Sequence, residues 1–197
     1  MYRETLCNRF PSNLFEDISI IENALDLSSE HRSYQPFNVK LQGSILKIPS
    51  RIYVNDNQLT KISNLTPLQK EIVYCTFSRH HDGFVREKCL KKIVNSNNFF
   101  VAPYIIQLLG EYVLEIIEVI LENKDSLNID NIISYIRQNP LHYEQTKQRV
   151  YSYWDCYYRR DFPKLRGKLA NKEKSQHDYP GIILIKYINA QSSKKIL

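Results

Sequence analysis

Between Val101 and Leu121 the chain runs through an apolar stretch of nearly membrane-spanning length, interrupted at Gln107, Glu111, Glu115 and Glu118. An acid near the centre of a span costs roughly 2–3 kcal/mol on insertion scales, so the stretch is not expected to cross a bilayer. With Glu122 included, the polar positions step by four, four, three and four residues, the spacing of one helix face. The pattern predicts one helix, opened by Pro103 and running to about Glu122, apolar on nearly every side except for a narrow acidic stripe.

The flanking sequence is punctuated by helix starts and stops. Thr66-Pro67-Leu68-Gln69 offers a cap, a proline at the first helical position and a capping-box Gln, which predicts a helix to about Arg79. Asp82-Gly83 breaks that helix, and Asp82 can cap the next, whose Val85, Cys89, Leu90 and Ile93 share a face. After a polar turn at Asn95–Asn98 and the apolar stretch, Ile129, Ile132, Ile133 and Ile136 mark a fourth helix. Asn139-Pro140 ends it and opens a fifth to about Arg160.

Upstream, Ser12 or Asn13 can cap a helix to about Leu27, with Leu14, Ile18, Ile21 and Leu25 on one face. Asn38 to Ile48 alternates apolar and polar residues on either side of Gly43 and predicts a β-hairpin closed by Pro49. Downstream, Tyr179-Pro180-Gly181 is a turn signal, and Ile182 to Ile188 has the composition of a strand that can join the hairpin.

The expected fold is therefore mainly α, with an antiparallel block of helical hairpins over about 66–160. A small β element combines the N-terminal hairpin with the C-terminal strand. At 23.4 kDa and 43% hydrophobic residues, the chain has material for one well-buried core, or at most two small ones. We take residues 1–197 as one domain, made of a helix and hairpin extension (1–65), the helical core (66–160) and a basic loop with a terminal strand (161–197). Only five glycines argue against a turn-dense β-sandwich.

Asp82 followed by Val85-Arg86 ahead of an amphipathic helix, and then Val101-Ala102-Pro103 ahead of the long apolar helix, resembles a HEAT repeat over about residues 82–122. The resemblance implies paired helices stacked in a short superhelix, and in that family the surfaces usually bind other macromolecules.

The net charge of +6 is unevenly spread. Residues 140–197 hold twelve basic and five acidic side chains, while residues 1–139 sum to −1. The surplus concentrates in 159–174, where Arg159, Arg160, Lys164, Arg166, Lys168, Lys172 and Lys174 stand against Asp161 and Glu173. This segment is expected to be an exposed basic loop, and nucleic acid is a possible partner through it. Cys7, Cys75, Cys89 and Cys156 form no C-x-x-C pair and suit a reducing compartment. The N-terminus shows no continuous apolar segment of a secretory signal, so a soluble, cytoplasmic protein is expected.

Chemical motifs are sparse. G-x-S-x-G, P-loop and G-x-G-x-x-G patterns are absent, so no cofactor is implied and no catalytic residue can be assigned. Arg79-His80-His81-Asp82 reads first as a helix C-terminus with a capping Asp. A polar pocket containing His80 or His81, with Glu111 and Glu115 as acids, is the enzymatic alternative. Adjacent histidines diverge by about 100° on a helix and no ligand spacing accompanies them, so no metal site is expected. Glu111, Glu115, Glu118 and Glu122 read as a solvated stripe, or, if buried, as partners of Arg149, Arg159 or Arg160.

Residues 149–160 are the most distinctive dozen. On a helix, Val150, Tyr153, Trp154 and Tyr157 form an apolar face, and Asp155 can pair with Arg159 four residues on. A core helix, a protein interface and a platform for single-stranded bases all fit this composition. The leading expectation is a non-enzymatic interaction module with a protein partner, its binding residues drawn from Arg149, Trp154, Asp155, Arg159, Arg160, Lys164, Arg166 and Lys168.

Overall fold

The computed structural model describes residues 6–27, 31–32, 36–163 and 175–194. Among them are eight α-helices and two antiparallel strand pairs, so the chain is mainly helical with a small β component. It divides into two compact units, Met1–Val101 and Ala102–Leu197. No helix among the described residues is long and apolar enough to cross a membrane.

In the first unit, α1 (Phe15–Ala24) follows a 3-10 turn at Ser12–Leu14. It starts later than Ser12 or Asn13 would place it and stops short of Leu27, because Leu25 is already extended. Its predicted face is nonetheless buried: Leu14, Ile18, Ile21 and Leu25 all lie in the core. Strands β2 (Phe37–Leu41) and β3 (Ser44–Ile48) form the expected hairpin. Gln42 and Gly43 both take positive φ, as a two-residue type I′ turn requires. Two short strands, β1 (His31–Arg32) and β4 (Ile52–Tyr53), pair separately. Helix α2 (Pro67–Phe77) carries the full capping box between Thr66 and Gln69. Helix α3 (Gly83–Ile93) is capped by Asp82, whose side chain accepts from the Phe84 amide over 2.8 Å.

The second unit is all helical among its described residues. The predicted long apolar helix is two helices, α4 (Ala102–Leu109) and α5 (Leu114–Glu122), so the long second helix implied by the HEAT resemblance is divided. The cause lies at the corner between them. A Cβ on Gly110 would stand 2.7 Å from Arg149 Nε, which fixes a residue of poor helix propensity at this position. The Tyr112 carbonyl accepts from the Tyr158 hydroxyl, and Val113 is extended ahead of α5. The acidic stripe divides with the helix: Glu111 is buried in the corner, Glu115 and Glu122 are exposed and Glu118 is half-buried.

Helices α6 (Ile129–Gln138) and α7 (Pro140–Tyr153) meet at Asn139. The expected α-helix to Arg160 gives way to a π-helical turn at Trp154–Tyr158. The final element corrects the sequence expectation outright, since Ile182–Ile188 lies inside helix α8 (Pro180–Lys194) and adds no strand to the β component. A run of aliphatic residues fits either element by composition. Here Pro180 starts the helix, and Gly181, Leu184, Ile185 and Ile188 are buried at helical spacing. A Cβ on Gly181 would meet Val150 Cγ1 at 2.7 Å, so glycine lets α8 approach α7 closely. Lys164, Arg166, Lys168, Lys172 and Lys174, the core of the expected basic loop, lie outside the described residues.

Candidate functional site

The π-helical turn decides which aromatic rings of residues 149–160 face inward. A pure α-helix would bury Val150, Tyr153, Trp154 and Tyr157 together. A π turn accommodates an extra residue, so positions beyond it rotate relative to that face. Val150 and Trp154 are buried and the Trp154 indole N–H donates to the Phe162 carbonyl over 2.8 Å. Tyr157 is turned out, 61% exposed, and the next residue takes the inward position. Tyr158 is half-buried, stacks on buried Tyr179 with ring centroids 5.4 Å apart, and donates its hydroxyl to the Tyr112 carbonyl over 2.6 Å.

The outward consequence is a three-ring cluster. Tyr112 lies 6.0 Å from Tyr153 and 6.3 Å from Tyr157, and Tyr153 lies 6.1 Å from Tyr157. Tyr112 is 47% exposed, so two of the three rings offer large apolar areas to solvent. Asp155, Arg159, Arg160 and Asp161, on or just after the π-helical turn, and Glu115, on the first turn of α5, are exposed, and Glu118 is half-buried. Arg159 pairs with Asp155 as its spacing predicts, and its guanidinium lies 6.0 Å from the Trp154 ring.

A second cluster lies inside the same unit, with Tyr135, His142 and Thr146 buried and Gln107 and Arg149 half-buried. Gln107 Oε1 accepts from Arg149 over 3.0 Å and lies 2.8 Å from His142 Nε2. Because a guanidinium can only donate, the Gln107 oxygen is an acceptor, and His142 carries its proton on Nε2. Its Nδ1 is hydrogen bonded to the Tyr135 hydroxyl over 2.8 Å. Arg149 also donates to Thr146 Oγ1, and that hydroxyl donates to the His142 carbonyl. Burial pushes the Tyr135 phenol well above its ordinary value, with Arg149 opposing. His142 is buried with both ring nitrogens engaged, so the network pins α4, α6 and α7 together and leaves no free nitrogen for proton transfer. His142, Thr146 and Arg149 recur at helical spacing on α7, a polar stripe that sequence reasoning passed over.

In the first unit, His80 is equally committed. Its Nδ1 accepts from the Asp82 amide over 3.1 Å, so Nε2 donates to the Val54 carbonyl at 2.8 Å. Burial holds its pKa below the ordinary histidine value, with the Val54 hydrogen bond opposing. The ring of exposed His81 stacks on Tyr53 at 5.0 Å. Arg79, fully buried, donates to the carbonyls of Pro49 and Ser50, and Arg86 donates to those of His80 and His81. These cations fasten the β4 segment and the α2–α3 turn by backbone carbonyls.

The structure therefore sorts the predicted site residues. Arg149 and Trp154 point into the second unit, and Asp155, Arg159 and Arg160 lie on its surface beside the tyrosines. Lys164, Arg166 and Lys168 are outside the described residues. His80 and His81 belong to the first unit and Glu111 and Glu115 to the second. Among the described residues, no group of three or more His, Cys, Asp and Glu side chains is placed to hold a metal ion. Cys75 and Cys89 are core residues, and burial pushes the Cys89 thiol up to about 12, far from a reactive thiolate. No protein-family model matches the chain, and no curated protein or solved structure matches it.

Proposed function

We propose that the chain is a non-enzymatic interaction module that engages a protein partner through Tyr112, Tyr153 and Tyr157. The observation that carries this reading is the contrast between those rings and what lies beneath them. The corner below is hydrogen bonded at Tyr158 and Trp154, while Tyr112 and Tyr157 expose large apolar areas in mutual contact. Isolated exposed apolar side chains are ordinary, and Phe84 and Leu141 are more exposed than either tyrosine. Contiguous aromatic surface on a rigid support is different, because it offers contact area at little conformational cost on binding. The HEAT-like reading of 82–122 and a cytoplasmic setting, which suits four free cysteines, accompany the proposal.

The test is affinity capture with the wild-type chain and with the Tyr112→Ala/Tyr157→Ala double variant, thermal melting being measured on both. The proposal expects a protein retained by the wild type and lost from a variant that melts at the same temperature. Equal retention by both, or by neither, overturns it.

A further inference from the structure

The sign of the charge around the tyrosines points to the kind of partner. Arg159 is paired with Asp155, and the Arg160 side chain lies 3.9 Å from Asp161. That leaves Glu115 and Glu118, on the first turns of α5, with no cationic partner among the described residues. Glu115 stands on the first turn of α5, three residues after Tyr112, whose carbonyl accepts from the Tyr158 hydroxyl. Burial pushes the Tyr158 phenol above its ordinary value, a backbone hydrogen bond at Leu114 opposes, and the nearby acids Glu115, Glu118 and Asp161 add to the rise. The chain as a whole is basic, yet among the described residues of α5, the π-helical turn and the residues just after it, Glu115, Glu118, Asp155 and Asp161 outnumber Arg159 and Arg160.

We infer that the tyrosine face receives an arginine-bearing segment of a protein partner, with the guanidinium over the exposed rings and beside Glu115 and Glu118. The faces of tyrosine rings carry negative quadrupole density and attract cations, and unpaired carboxylates beside them add to the same potential. Arginine suits the face better than lysine, because its planar group stacks on a ring and donates to a carboxylate at once. A nucleic-acid strand stacking its bases here would bring its phosphates toward the two unpaired carboxylates, so the local charge disfavours that occupant. The inference rests on the interaction reading proposed above and names the chemistry of its partner.

The experiment uses fluorescence polarisation with the full chain and three labelled probes: a short peptide alternating arginine with glycine, its glutamate counterpart, and an oligothymidine. Saturable binding of the arginine peptide is expected, weakening as salt rises. Tyr157→Ala and the Glu115→Gln/Glu118→Gln double variant should each weaken it roughly threefold to tenfold with unchanged melting temperature. Tighter binding of the glutamate peptide or the oligothymidine, or an arginine affinity indifferent to both variants, overturns the inference. If the arginine peptide does not bind while partner capture still depends on Tyr112 and Tyr157, the cationic assignment falls and the interaction face stands. If both fail, the interaction reading falls with it.

Discussion

The Tyr158 hydroxyl donates to the Tyr112 carbonyl over 2.6 Å, joining the π-helical turn to the corner between α4 and α5. Tyr158→Phe keeps the ring and its stack on Tyr179 but removes the donor. We expect a loss of about 1 kcal/mol in the second unit, measured by urea denaturation, with faster amide exchange through 112–114. Unchanged exchange there would show that the corner holds without this bond.

The buried network should behave as a unit. Tyr135→Phe and His142→Phe each strand a polar partner, so each single change is expected to cost roughly 1–3 kcal/mol. In a double-mutant cycle the combined loss should fall short of the sum by roughly 0.5–3 kcal/mol, because the second change removes a partner already stranded. Additive losses would contradict the hydrogen-bond chain.

The first unit should lose stability in mild acid. His80 has a folded pKa below its ordinary value near 6.5, so between the two values the unfolded chain binds the proton that the folded chain refuses. Stability is therefore full above about pH 6.5 and falls as pH drops through the folded value, by at most about 1.4 kcal/mol per pH unit. Denaturation followed by Tyr53 and Phe77 environments across this range should show the slope in wild type and in His81→Gln, and a flatter profile in His80→Gln. An equal slope in all three would assign the effect to other groups.

Glycine substitutions separate packing from backbone strain. Gly110→Ala drives a methyl against the Arg149 guanidinium, which is held by Gln107 and Thr146, and should cost roughly 1–3 kcal/mol. Gly43→Ala meets no atom within 4 Å, yet its φ of +84° should cost about 1 kcal/mol. Shortening Arg149 should therefore relieve the first substitution, and no neighbouring change should relieve the second. Thermal melts of the single and double variants check both statements.

Much of this fold was legible where its causes are local. The Thr66–Gln69 capping box, the Asp82 cap and the Gly43 hairpin are each fixed by residues within a few positions of one another. The division of the apolar stretch was not legible, because its determinants, Arg149 and Tyr158, come from a distant part of the chain. Tyr157 was assigned to the buried face by a 3.6-residue period that stops applying at the π-helical turn. Ile182–Ile188 was misassigned because a continuous aliphatic run carries no period, and its helical state follows from packing around Gly181. Within residues 149–160 the Asp155–Arg159 pair was legible from its four-residue spacing. Trp154, the expected aromatic anchor, is buried, while Tyr112 and Tyr157 are exposed.

The most direct test of the interaction face is site-specific photo-crosslinking inside cells that produce the protein. A photoreactive phenylalanine derivative is placed in turn at Tyr157, at Tyr112, and at the more exposed controls Phe84 and Leu141. The account predicts one discrete protein adduct from the two tyrosine positions and none of that mass from the controls. Adducts from the controls alone, or the same adducts from all four positions, would contradict it.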